Sequence, residues 1–511
     1  MFSNLLRIKP MSMLTEEAGE QGEHTLKRSL GAVNLVTLGI GAVIGAGIFV
    51  LTGQAAALYA GPAVALSFVL AGITCAFAGL CYSEFASIIP IAGSAYTYGY
   101  ATLGEFVAWI IGWDLVLEYA FGASTVASGW SGYFNSLLQQ FGIYVPPQLT
   151  ASTGTHLVFY QHQWLPLMSL PPGVSDAGLP HATAAFNLLA MAVVMVITVI
   201  LVIGIKESAN FNSAIVFIKL SVVAIFLVVG GYYLIRHPEL AKMNWHPFIP
   251  PKDANGNFGW GGISKGASRI FFAYIGFDAV STAAQEAKKP QRDMPIGILG
   301  SLLICTILYI MVSMVLTGLV SYKTLNVGAP VALGIDATGV SWGALLVKIG
   351  AVFGLATVML VMLLGQTRVF YSMSKDGLLW KWASAVHPRF RTPWITTIVF
   401  GIFAAVFPAF LPIGRLADLV NIGTLLAFAI VCAGVWVLRV RHPELHRPFK
   451  TPFVPLVPIL GMGSALYLMS RLAAITWEVM IGWLIFGLII YFGYSVKHSK
   501  VQKLAKAQAA D

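Results

Sequence analysis

The stretch Gly39-Ile-Gly-Ala-Val-Ile-Gly-Ala-Gly-Ile-Phe49 lies inside an apolar run from about Asn34 to Ala57, and its reading decides the rest. The run is long enough to cross a bilayer. It nevertheless contains Gly39, Gly41, Gly45 and Gly47, each of which weakens a helix interior by about 1 kcal/mol relative to alanine. They mark where the backbone opens. In hydrocarbon, the opened N–H and C=O groups have to be satisfied by protein or by something bound, so a broken membrane helix is tolerated where it lines a site. Gly41 and Gly45 also fit the G-x-x-x-G pattern of two closely packed membrane helices, and on this segment alone both readings stand. A dinucleotide-binding loop is excluded, because the spacing is G-x-G-x-x-x-G and no βαβ unit surrounds it.

Composition places the whole chain in the same setting. Of 511 residues, 57% are hydrophobic and only 10% charged, and the mean hydropathy is +0.79, which implies a polytopic membrane protein. Cys75, Cys81, Cys305 and Cys432 fall in apolar helical stretches without metal-ligand spacing, so they read as small core residues, and no metal or cofactor is expected. Residues 1–33 lack a signal-peptide cleavage pattern and read as a cytoplasmic tail.

Apolar windows of about 20 residues predict twelve spans, at about 34–57, 63–89, 103–133, 184–204, 211–235, 262–285, 295–320, 344–372, 393–411, 415–438, 453–470 and 474–495. With the N-terminus inside, 21 of the 31 lysines and arginines lie in inner segments and six in outer ones. That bias supports the orientation and explains the net charge of +10 without a nucleic-acid partner. The loop of about 134–183 is then external, and residues 496–511 form a cytoplasmic C-terminal tail.

A second interrupted segment, Ile270-Phe-Phe-Ala-Tyr-Ile-Gly-Phe-Asp278, sits inside the sixth span. An acid at mid-span is costly unless Gly276 opens the helix and Asp278 lies in the first turn of the new half-helix, where it meets free N–H groups and the positive dipole end. Asp278 is therefore expected to be a structural cap. Breaks in the first and sixth spans predict an all-α membrane protein built as an inverted repeat of five plus five helices, residues 34–235 and 262–440, with two added helices at 453–495.

The motifs Gly41-Ala-Val-Ile-Gly-Ala-Gly-Ile-Phe49, Tyr82-Ser-Glu84, Pro90-Ile-Ala-Gly-Ser-Ala-Tyr-Thr-Tyr98, Phe271-Phe-Ala-Tyr-Ile-Gly-Phe-Asp278, Pro290-Gln-Arg-Asp-Met-Pro295, Arg368-Val-Phe-Tyr-Ser-Met-Ser-Lys-Asp-Gly377 and Asn421-Ile-Gly-Thr-Leu425 follow one another in order. Together they resemble the amino acid–polyamine–organocation superfamily, specifically bacterial members of its cationic amino acid transporter family. The sequence departs from the family at Gln285-Glu286-Ala-Lys-Lys-Pro290, where paired acids and an Asn usually precede the Pro, so cytoplasmic gating contacts are expected to differ. The resemblance implies a LeuT-like fold and a secondary active transporter of L-amino acids in the cell membrane. It places the substrate carboxylate at the N–H groups of Gly45, Ala46 and Gly47, and the ammonium at the carbonyls of Val43, Phe272, Ala273 and Ile275. Phe272 is implied as an outer gate. Met362 is implied to face the substrate side chain, where its bulk favours small or medium neutral amino acids over long cationic ones.

Lys219 lies about eight residues into the fifth span, too deep to snorkel easily. The plain reading is a buried lysine paired with carbonyls or a carboxylate. In proton-coupled members that this chain resembles, such an ammonium replaces the cation that sodium-coupled relatives hold between spans one and eight, which implies proton symport. Asp114 and Glu118 share one face of the third span, deep in the bilayer. They read as neutral acids or structural pairs, although the family position of Glu118 lies near the transport path and implies a part in proton movement. Glu84, Arg368, Lys375 and Asp376 read as solvated helix ends or inner charge pairs. The alternative within this fold is an amino acid exchanger. A channel lacks a recognisable selectivity filter here, and an enzyme lacks any H-E-x-x-H, G-x-S-x-G or phosphate-loop motif.

Overall fold

Backbone groups that no water reaches are satisfied within helices, and helices fill the apolar windows of the chain. The computed structural model describes residues 7–10, 30–89, 94–171, 173–204 and 209–508. Most of the N-terminal tail, Lys206 and the motif residues 90–93 lie outside that set.

Among the described residues, seven helical stretches are long and apolar enough to cross a membrane: Gly47–Ile88, Glu105–Gln140, Ala214–Arg236, Pro290–Leu319, Ser341–Lys375, Ile413–Arg441 and Ala474–His498. The first of these turns sharply at Gly61-Pro62, which separates the second half of the first window from the helix Val64–Ile88. Shorter apolar helices occupy Ala32–Val43, Leu188–Ile203, Trp394–Phe410 and Leu456–Ser470. Large apolar side chains such as Phe217, Val228, Ile235, Leu303 and Ile489 point outward and are mostly exposed, as a surface facing lipid requires. Below, each helix is named by the window it fills.

Two windows are broken. The first helix, Ala32–Val43, stops where Ile44 turns to an extended conformation with ψ 97°, and helix resumes as a π-helical turn at Gly47–Leu51. The sixth window begins with Gly259–Ile270, tightens into a 3₁₀ turn at Phe271–Tyr274, becomes extended at Ile275, and restarts as the short helix Ala279–Thr282. Gly276 between them has φ +116°, a conformation L side chains rarely adopt.

The breaks pack on each other through bare backbone. A Cβ on Gly47 would lie 2.2 Å from Ala273 Cα, and one on Gly276 would lie 2.9 Å from the Ala42 carbonyl carbon. The close packing suggested by the glycine spacing and the broken helix thus occur together. The seventh helix, Pro290–Leu319, runs along both Val64–Ile88 and Ala32–Val43, while the eighth, Ser341–Lys375, packs on the third and fifth.

The expectation of helix alone is corrected in the loop after the third helix. There β1 (His156–Tyr160), β2 (Gln163–Pro166) and β3 (His181–Thr183) form an antiparallel sheet in the order β2-β1-β3. The β1–β2 hairpin turns through Gln161 and His162, both at positive φ, a geometry usually advertised by Asn-Gly or Asp-Gly. This sheet marks one side of the molecule, here called the sheet side. Residues 7–10 and Ser499–Gln502 gather on the opposite, tail side.

Gly47→Ala is expected to lose at least about 1–3 kcal/mol of stability from the clash with Ala273, whereas Gly31→Ala, with nothing within 4 Å, stays near wild type. Thermal denaturation in detergent measures both; equal melting temperatures would contradict the contact between the breaks.

Candidate substrate site at the helix breaks

The first break leaves Gly45, Ala46 and Gly47 at the start of a helix, where first-turn N–H groups have no acceptor within that helix. Phe49 N–H donates back to the Gly45 carbonyl at 3.3 Å, and Tyr133 OH donates to the Phe49 carbonyl at 2.7 Å, which fixes this half-helix to the third helix. All of these residues are buried.

Of the four carbonyl residues expected to hold an ammonium, two share a partner the sequence reading missed. The Tyr309 hydroxyl lies 2.8 Å from the Val43 carbonyl and 2.7 Å from that of Ala273, and so joins the two breaks. One phenolic proton serves only one of them at a time, and each carbonyl keeps a second lone pair. The Phe272 carbonyl accepts the Ile275 N–H at 3.2 Å, and the Phe272 ring is buried beside the second break. A tyrosine in a long apolar helix reads as core. The available signal was that a buried phenol needs a partner.

The eighth helix supplies the facing wall. Val358 touches Gly45, since a Cβ there would lie 3.3 Å from its methyls, and one turn later Met362 packs into the notch at Gly122 of the third helix. Lys219, 1% exposed, donates from Nζ to the Gly41 carbonyl at 2.6 Å, and its stem lies against Gly354. It therefore connects the fifth helix to the last turn before the first break, next to the eighth.

Glu118 and Tyr119 sit in a π-helical turn, Leu117–Phe121, within the third helix, a distortion frequent at functional sites. Asp114 packs against Gly423 of the tenth helix. Among the described residues the Asp278 side chain makes no capping hydrogen bond, and its Oδ1 accepts the Gly276 N–H at 3.3 Å. The carboxylate holds the opened turn from behind because Gly276, at positive φ, presents its N–H there.

Charged groups close both sides. Toward the sheet side, Arg269 bonds Asp418 at 3.0 Å and donates to Tyr59 OH at 2.9 Å, with its guanidinium over the Tyr59 ring. Gly414 makes room for it, because a Cβ there would lie 2.2 Å from the guanidinium. Asn421 donates to the Ser268 and Arg269 carbonyls at 2.7 and 3.0 Å. Toward the tail side, Asp376 bonds Lys9 at 2.9 Å and accepts from Tyr96 OH at 2.7 Å. Glu84 is fully buried and bonds Arg439 and Arg447 at 2.7 and 3.2 Å, so it is a paired anchor rather than a solvated helix end.

Asp418→Ala strands a buried guanidinium and is expected to cost about 3–5 kcal/mol, with Arg269→Ala in the same chain recovering part of the loss. Tyr309→Phe is expected to cost about 1 kcal/mol. Melting temperatures of the purified variants check each; additive losses in the double variant would contradict the pairing.

The sequence matches the amino acid permease family over residues 30–503. It is 46% identical over 487 residues to the branched-chain amino acid permease BcaP of Bacillus subtilis, covering 95% of this chain and 97% of that protein. It is 44% identical over 501 residues to the methylthioribose transporter of the same organism, covering 98% and 100%. It is also 37% identical over 423 residues to the vacuolar cationic amino acid transporter 4 of Arabidopsis thaliana, covering 83% and 65%. The chain is therefore a multi-pass membrane transporter, not an enzyme, and belongs to the amino acid permease family of the amino acid–polyamine–organocation superfamily.

Proposed function

We propose that the protein is a proton-coupled symporter of small or medium neutral L-amino acids in the cell membrane, working by alternating access through twelve spans with both termini cytoplasmic. The observation that carries this reading is the facing pair of helix breaks with Lys219 bonded to the first of them. An amino acid leaving water needs partners at both ends, or several kcal/mol are lost. Gly45, Ala46 and Gly47 offer N–H groups and a positive helix end to the carboxylate, and the carbonyls of Val43, Phe272, Ala273 and Ile275 offer lone pairs to the ammonium.

Met362 and Val358 line the remaining wall with apolar bulk, which suits a branched or short side chain and disfavours an extended cationic one. The similarity to a branched-chain permease favours the same class. Phe272 covers the bound molecule as a gate.

The Lys219 bond to Gly41 is charge-assisted only while the amine is protonated. Release of that proton weakens the tie between the fifth helix and the first half-helix, which links protonation to the shape of the site. Glu118, in the π-helical turn of the third helix, is the group proposed to assist proton movement.

In proteoliposomes with an inwardly directed proton gradient, wild type is expected to accumulate L-isoleucine, L-valine or L-alanine in preference to L-arginine, while Lys219→Met loses gradient-driven accumulation. Unchanged accumulation by Lys219→Met would refute the coupling role. Uptake that depends on internal amino acid and ignores pH would identify an exchanger. Uptake of methylthioribose but no amino acid would overturn the substrate assignment.

A further inference from the structure

Gln366 is fully buried in the eighth helix, and neither its Oε1 nor its Nε2 has a hydrogen-bond partner among the described residues. Burying two unpaired amide groups is costly, so a glutamine held this way calls for an explanation that packing does not supply. Its position supplies one. Val358, Met362 and Gln366 are spaced four residues apart and form one stripe of the helix. The first two touch Gly45 and Gly122, so the stripe faces the first break and the third helix.

The third helix meets this stripe at Gly122 and, toward the tail side, at the π-helical turn Leu117–Phe121. The two helices run antiparallel, with Gly122 against Met362 and the Tyr119 ring against Gly365. The Tyr119 contact with Gly365 sets Gln366, the next residue of the eighth helix, beside the π-helical turn that carries Glu118 and Tyr119. Here too polar atoms are unmatched: Glu118 Oε1, Tyr119 OH and Asp114 Oδ1 are buried without partners among the described residues. Apolar side chains would fill this position at lower free energy if it were only core.

We propose that Gln366, with Glu118 and Tyr119, lines the route by which substrate leaves the helix breaks toward the tail side, and that the Gln366 amide hydrogen-bonds the ammonium or carboxylate in passage. The proposal rests on the transport reading above. It assigns Gln366 a part in movement between states rather than in the affinity of the closed site.

The test uses full-length protein in proteoliposomes, with L-isoleucine as the probe. Gln366→Leu removes the unpaired amide at similar volume, so its melting temperature is expected to equal or exceed that of wild type, while initial uptake falls about tenfold or more. L-Isoleucine binding, read by thermal shift, is expected to change less than about twofold, and Gln366→Asn is expected to retain more uptake than Gln366→Leu. Wild-type uptake by Gln366→Leu would overturn the proposal. If wild type itself carries no amino acid, the transport reading fails instead, and a second arm still reports on the route. In inside-out vesicles, Gln366→Cys is expected to react with a methanethiosulfonate reagent above the background of the four buried native cysteines. No reaction above that background would likewise overturn the proposal.

Discussion

Two helices that open in a dry interior have to satisfy each other, and that requirement shapes the rest of this molecule. Gly47 lies on the backbone of Ala273, Gly276 lies on Ala42, and Tyr309 stands between the Val43 and Ala273 carbonyls. Lys219 takes the Gly41 carbonyl at the end of the first half-helix. The Tyr309 and Lys219 bonds occupy carbonyls that an unbroken helix would have used internally. What remains available, the N–H groups at Gly45–Gly47 and second lone pairs on the facing carbonyls, has the polarity of an amino acid's two ends reversed. The long helices around the breaks serve to hold this arrangement.

The seals on either side differ in chemistry. On the sheet side one guanidinium ties the first, sixth and tenth helices together through Tyr59 and Asp418. On the tail side the closure is spread over Lys9, Tyr96 and Asp376, with Glu84, Arg439 and Arg447 fixing the second helix to the tenth. Buried ion pairs add little net stability over apolar packing, but losing one partner leaves an uncompensated buried charge.

Much of this was legible in the chain. Four glycines in one apolar run and Gly276 before an acid located both breaks, because glycine in a membrane helix is conspicuous and its conformational cost is known. The depth of Lys219 was legible by counting. Partners were not: Arg269 and Asp418 lie 149 residues apart, and nothing local tells a lysine, arginine or tyrosine which distant carbonyl or carboxylate it will meet. Tyr309 was hidden among apolar neighbours that make any aromatic look like core. The sheet was hidden because Gln161-His162 is an uncommon pair for its turn. Asp278 was legible as the acid at the second break, but not the Gly276 N–H it accepts, because helix-start rules look forward and that N–H lies behind it.

The proposed recognition of substrate by main-chain dipoles makes a direct demand on ligand chemistry. A titration of the purified protein with L-isoleucine, its methyl ester and its N-acetyl derivative isolates that demand, because the side chain is constant and each derivative blocks one end. If the two breaks bind the zwitterion as described, both derivatives bind about a hundredfold more weakly or worse, as expected when buried polar groups lose their partners. Comparable affinity for all three would show that the side chain, and not the opened backbone, holds the ligand, and would contradict the account.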